Sequence, residues 1–167
     1  VIQGVGGLGL FAVAVAKERG AGRVIVVDGL KARLEMAEKM GADYCIDMNE
    51  FTTAESRIAR VKELTGGLGA DVTVGLVGFA TAFVEGIQMV RPAGRYIEIG
   101  SISLKESVNF TPAKLVYGQT KIIGIGLYDP WTIPKVLDFL VRAGNKYPFK
   151  EVVSNRYRLD ELDRAFQ

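Results

Sequence analysis

Gly4-Val5-Gly6-Gly7-Leu8-Gly9 fits the pattern G-x-G-x-x-G, directly after a strand-like run and at the head of a helix-like one. That order gives each glycine a physical task. Gly4 permits a tight turn, Gly6 lets the backbone approach a pyrophosphate, and Gly9 lets the helix pack close to a sheet. The first helix, with Gly7 and Leu8 at its head, presents free N–H groups and the positive end of the helix dipole to a phosphate. The next strand-like run, RVIVVD, ends in Asp28, nineteen residues after Gly9, near the roughly 20-residue spacing of a ribose-binding acid. A carboxylate there accepts hydrogen bonds from the adenosine ribose and repels a 2′-phosphate, so the motifs together point to NAD rather than NADP. In the plainer reading the glycines only turn the chain and Asp28 caps the following helix. Strand, loop, helix, strand and acid in that order favour the dinucleotide. Just beyond, Arg33 and Lys31 either lean on the adenosine or stay solvated, and Arg33 is the stronger candidate.

These residues need a scaffold, and the rest of the chain has the texture of one. Short β-branched runs alternate with longer amphipathic stretches, as in a parallel α/β sheet. Strands are expected at 1–3, 23–28, 44–47, 71–76, 95–100 and 121–127, and helices at 8–19, 30–40, 53–65, 81–90 and 133–142. Gly41 and Gly66 stand where a left-handed residue ends a helix. Pro92 and Gly94 bracket a turn between helix and strand. Six strands with helical crossovers predict a Rossmann-type, doubly wound, six-stranded parallel sheet with helices on both faces, in one α/β domain over residues 1–167. The tail from 147 to 167 reads as a strand-like piece and an incipient helix at 160–166.

Composition narrows the chemistry. There is no histidine and one cysteine, so the soft ligands of a catalytic zinc site are almost missing, as is the commonest acid–base group near neutral pH. Lys and Arg number 21 against 19 Asp and Glu, with no basic run, so neither a nucleic-acid footprint nor a nucleic-acid partner is expected. The opening apolar run is too short and too glycine-rich for a membrane span or a signal peptide, and no membrane partner is expected. The single Cys45 fits a reducing, cytoplasmic location. Because the chain starts at Val1 inside a strand-like run and stops without a capping signal, it is expected to be cut from a longer one.

Five stretches in order, VIQGVGGLGLFAVAVAKERGAGRVIVVD, RLEMAEKMGADYCID, LTGGLGADVTVGLVG, GIQMVRPAGRYIEIGS and the closing PFKEVVSNRYRLDELDRAF, cover essentially the whole chain. Together they resemble the coenzyme domain of the zinc-containing alcohol dehydrogenase superfamily, the medium-chain dehydrogenases. The resemblance implies hydride transfer between nicotinamide and an alcohol or carbonyl of a small-molecule substrate in a longer parent. It places any zinc in a domain that this sequence does not include. It further implies that Gly78, closing the fourth strand, lies near the nicotinamide ribose, and that Gly100 and Ser101, ending the fifth, line the nicotinamide crevice. Gly126 and Leu127, on the sixth strand, are expected toward the carboxamide. The family often has an acid near the end of strand four, where this chain has Gly75. In similar proteins the edge strand, here 121–127, joins two coenzyme domains. An apolar edge with unpaired backbone groups fits that homo-oligomer.

Other residues look functional without being so in this reading. Tyr117 and Lys121 spell Y-x-x-x-K, the catalytic pair of short-chain dehydrogenases, but Gly118 weakens the helix that pair needs, and Tyr117 is expected to pack. Cys45 reads as a buried structural thiol, and Trp131 as packing beside a helix start. Arg57, Arg60 and Lys62 with Glu55 and Glu63 read as a solvated helix face. Three functional classes stay open: a dehydrogenase coenzyme domain, a stand-alone NAD-sensing module, and a methyltransferase that holds an adenosyl group.

Overall fold

The computed structural model describes residues 1–101 and 103–166. Its six strands are β1 (Ile2–Gln3), β2 (Ile25–Asp28), β3 (Tyr44–Asp47), β4 (Ala70–Gly75), β5 (Val90–Glu98) and β6 (Lys121–Gly124). Between them run α1 (Gly7–Glu18), α2 (Lys31–Lys39), α3 (Ala54–Leu64), α4 (Ala80–Met89) and a short α5 (Ala113–Gly118), followed after β6 by α6 (Thr132–Ala143). The sheet is parallel throughout, in the order β3-β2-β1-β4-β5-β6. This is the doubly wound arrangement expected, and the order reverses between β1 and β4, the place where such sheets open a crevice for ligands.

Alternation along β2 shows why helices must cover both faces. Val24 and Val26 enter one core with Val5, Leu10, Val13, Leu34 and Met40, whereas Ile25 and Val27 enter the other with Ile46, Val61 and Met89. Side chains one residue apart on a strand point to opposite faces. The first core therefore lies under α1 and α2, the second under α3 and α4.

Several expectations are corrected. The turn at Pro92 and Gly94 lies inside β5. Val90 pairs with Ala70 and Arg95 with Val72, so β5 carries an excursion there, with Ala93 at φ 60°. Strands four, five and six stop at Gly75, Glu98 and Gly124, so Gly78, Gly100, Ser101, Gly126 and Leu127 sit in the loops beyond them. The tail holds no strand among the described residues. It forms two 3₁₀ turns, Phe149–Val152 and Leu159–Glu161, and then α7 (Leu162–Ala165); Gln167 lies outside the described residues. Phe149 stacks on Phe11, with centroids 5.2 Å apart, which ties the first of these turns to α1. Among the described residues no helix is long and apolar enough to cross a membrane.

Candidate functional site

The chain leaves β1 directly into the glycine loop. Gly4 has φ +85°, its N–H donates to the Val27 carbonyl at 2.9 Å, and a Cβ there would come 2.4 Å from Val77 Cγ1. A Cβ on Gly9 would stand 2.0 Å from the Gly4 carbonyl oxygen. These two glycines are demanded by the packing of loop on helix and of loop on the segment after β4. Gly6 and Gly7 differ. A Cβ on Gly7 meets nothing within 4 Å, and one on Gly6 meets only Arg33 Nη1 at 3.9 Å. Gly6 is the N-cap of α1 and has no side chain to satisfy the first-turn N–H groups. Those donors face an open cradle, the arrangement that receives a phosphate. Leu8 is exposed in the same turn.

Asp28 ends β2 beneath this loop and is 7% exposed. Its Oδ2 accepts from the Val5 N–H at 2.9 Å and its Oδ1 from the Leu30 N–H at 3.0 Å, where Leu30 is the N-cap of α2. Asp28 does not itself cap α2, as the plainer reading has it, but its carboxylate holds the loop and the residue that does. Those two bonds leave capacity for a ligand, because an ionised carboxylate offers about four acceptor sites. Arg33 Nη1 lies 3.8 Å from Oδ2, on a half-exposed side chain.

Around them lies a cleft of about 390 Å³, walled by Gly4, Asp28, Leu30, Arg33, Met48 and Phe79. It also reaches Arg57 and Glu85, which corrects the expectation of a solvated face on α3 for Arg57, while Glu55, Lys62 and Glu63 are exposed as expected. Arg57 is 7% exposed and grips Glu85 of α4 with Nε and Nη2, both at 2.7 Å, while Nη1 donates to the Phe51 carbonyl. The Glu85 carboxylate beside it holds the guanidinium above its ordinary pKa. A larger groove of about 770 Å³ opens at the opposite end of the sheet, among Ala12, Ala16, Val24, Leu68 and Val72, away from the glycine loop and Asp28.

On the other side of the crevice, the loops after β4 and β5 touch. A Cβ on Gly100 would fall 2.4 Å from the Val77 backbone, and one on Gly78 would lie 3.9 Å from the Gly100 carbonyl oxygen. Ser101 donates its N–H to Glu98 Oε1 at 2.9 Å, and its hydroxyl oxygen is buried without a partner among the described residues. Gly126 and Leu127 are exposed beyond β6, with Leu127 at φ 60°. The structure thus brings Gly4 through Gly9, Asp28 and Arg33 together, and sets Gly78, Gly100 and Ser101 together across the crevice. Gly126 and Leu127 stand apart from both groups as exposed loop residues.

Sequence reasoning missed Gln3, Tyr96 and Glu98, which form a hydrogen-bonded chain at the same edge. The signal was present in YIEIG, where an acid sits two places after a tyrosine in an apolar strand. The Y-x-x-x-K pair does not form one helix turn: Tyr117 lies in the last turn of α5, which ends at Gly118, Gln119 is left-handed at φ 48°, and Lys121 begins β6. Tyr117 and Trp131 are largely exposed, so neither packs as expected. Cys45 is half-buried, with Sγ 3.5 Å from the Leu34 carbonyl, and burial pushes its thiol up to about 11. That leaves it a poor nucleophile. Among the described residues no group of three or more His, Cys, Asp or Glu is placed to hold a metal ion.

The chain matches the family described as zinc-binding dehydrogenase over residues 7–142. It is 31% identical to the 5-exo-hydroxycamphor dehydrogenase of Pseudomonas putida, over all of this chain and 46% of that protein. It is 34% identical to the L-threonine 3-dehydrogenase of Pyrococcus abyssi, over all of this chain and 47% of that one. The alcohol dehydrogenase of Thermotoga maritima superposes with a TM-score of 0.89 at 32% identity, covering 98% of this chain and 44% of that structure. The chain therefore spans about half the length of the relatives it matches, and each of these three is named as a dehydrogenase.

Proposed function

The chain belongs to the zinc-binding dehydrogenase family, and from that premise we propose that it binds NAD(H) as the coenzyme-binding part of an alcohol or polyol dehydrogenase. When bound, the coenzyme exchanges a hydride between its nicotinamide and an alcohol or carbonyl carbon. The observation that carries this reading is the cradle at Gly6 and Gly7, open at the N-terminus of α1, with the Asp28 carboxylate beneath it.

In this reading Gly4, Gly6, Gly7, Leu8 and Gly9 shape the pyrophosphate turn and Asp28 takes the adenosine ribose. Arg33 flanks the adenosine, its guanidinium already leaning on Asp28. Gly78, Gly100 and Ser101 line the nicotinamide end, where the unpartnered Ser101 hydroxyl suits a carboxamide. Gly126 and Leu127, exposed after β6, are assigned to the carboxamide end by the family resemblance. Zinc and the small-molecule substrate are held by the other half of a longer protein, consistent with relatives about twice this length. Two copies pair along β6, whose residues are all exposed, and the protein works in the reducing cytoplasm.

Calorimetric titration with NADH and NADPH, on the native chain and on Asp28→Ala, tests the reading. NADH should bind more tightly than NADPH by about tenfold or more, with the preference lost in D28A, as expected when hydrogen bonds to a charged acceptor are removed. Absence of NADH binding by the native chain, or a preference for NADPH, would refute it.

A further inference from the structure

Behind the crevice, three side chains from two strands, β1 and β5, form one polar chain inside the apolar sheet. Tyr96 on β5 is fully buried; its hydroxyl donates to Glu98 Oε2 at 2.9 Å and lies 3.5 Å from Gln3 Oε1 on β1. Gln3 is also buried, and its amide donates to the Ala82 carbonyl of α4 at 3.1 Å. Room for this chain is made by two glycines. A Cβ on Gly75 would fall 2.2 Å from the Tyr96 hydroxyl and 3.1 Å from Glu98 Oε2. One on Gly86 would fall 2.1 Å from Gln3 Oε1. Gly75 is therefore the gap that lets β5 place a carboxylate at the end of β4.

The other oxygen of that carboxylate leaves the network for the loop. Glu98 Oε1 accepts the Ser101 N–H at 2.9 Å. The Ser101 hydroxyl is buried without a partner, and buried polar atoms left unpaired are uncommon. A hydroxyl both donates and accepts, as a carboxamide requires.

We propose that Glu98 is a positioning residue for the nicotinamide end of the coenzyme. Its carboxylate is anchored by the Tyr96 hydroxyl and fixes Ser101 through the backbone N–H, so that the Ser101 hydroxyl is held ready for the carboxamide. This rests on the NAD reading above. Removal of Glu98 loosens the nicotinamide end and leaves the adenosine end, which is built on β1 and β2, unaltered.

The test compares NADH with ADP-ribose, which lacks the nicotinamide, on the native chain, Glu98→Ala and Glu98→Gln. E98A should weaken NADH about tenfold and move ADP-ribose by no more than about twofold. E98Q should restore NADH binding, because its amide oxygen still accepts from Ser101 while its NH₂ donates to the tyrosine hydroxyl. If E98A fails to fold, Tyr96→Phe puts the same question with the ring retained, and an NADH-selective loss of about threefold is expected. Equal losses of both ligands, or no loss of either, overturn the role of Glu98 while leaving coenzyme binding intact. A native chain that binds neither ligand overturns the coenzyme reading and this role with it.

Discussion

The four glycines of the loop separate into two kinds once their surroundings are known. Gly9 faces the Gly4 carbonyl oxygen at a distance no Cβ can share, whereas Gly7 faces open space. Gly9→Ala should therefore destabilise the chain by about 1–3 kcal/mol, as overpacking does. Gly7→Ala, in the first turn of α1, should leave stability unchanged or raised by up to about 1 kcal/mol, since alanine favours the helix. Urea denaturation of the two variants beside the native chain measures both, and equal midpoints for G9A and native would show that loop and helix do not touch as described. Asp28 adds the complementary lesson. The same two oxygens that tie down Val5 and Leu30 keep capacity for a ligand, so its structural role and the proposed binding role share one side chain.

At the level of elements, the buried Arg57–Glu85 pair is what joins α3 to α4 beside the cleft, with side chains only 8% and 11% exposed. Glu85→Ala leaves a guanidinium buried without its partner and should cost about 3–5 kcal/mol. The double variant Arg57→Met/Glu85→Leu should recover most of that loss, and thermal and chemical melts of the three proteins decide it. This pair also shows where sequence reading stopped. The strands β2 and β3 and every long helix were legible from periodicity, to within a residue or two at their ends. The glycine loop and Asp28 were legible from spacing. Periodicity on α3 could not tell that one arginine among several charges faces a neighbouring helix, because that depends on how α4 packs. Likewise the alternation of Tyr96 and Glu98 fixes their common face but not the gaps at Gly75 and Gly86 that make the face habitable. The loop residues beyond β4, β5 and β6 were assigned to strands because apolar runs continue past the last ladder bond.

For the molecule as a whole, β6 forms one edge of the sheet, and all four of its residues are exposed. β6 presents Ile122 and Ile123 in part to solvent, and Ile125 continues the exposed run. Unpaired strand edges of this kind recruit another strand, and a lysine blunts them. Light scattering across a concentration series should find the native chain dimeric and Ile123→Lys monomeric; a native chain that stays monomeric at every concentration would remove β6 as the interface. At the other side of the sheet, β2 is buried along its whole length, and its residues divide between the two cores. A slip of one residue, about 3.3 Å, would exchange every side chain between those cores and carry Asp28 off the Val5 N–H. Error in this strand is thus quantised, with no intermediate settings. The same ratchet that sorts valine and isoleucine between two oily layers also sets the carboxylate under the loop, so the affinity of the proposed coenzyme doubles as a readout of whether the interior has been assembled in phase.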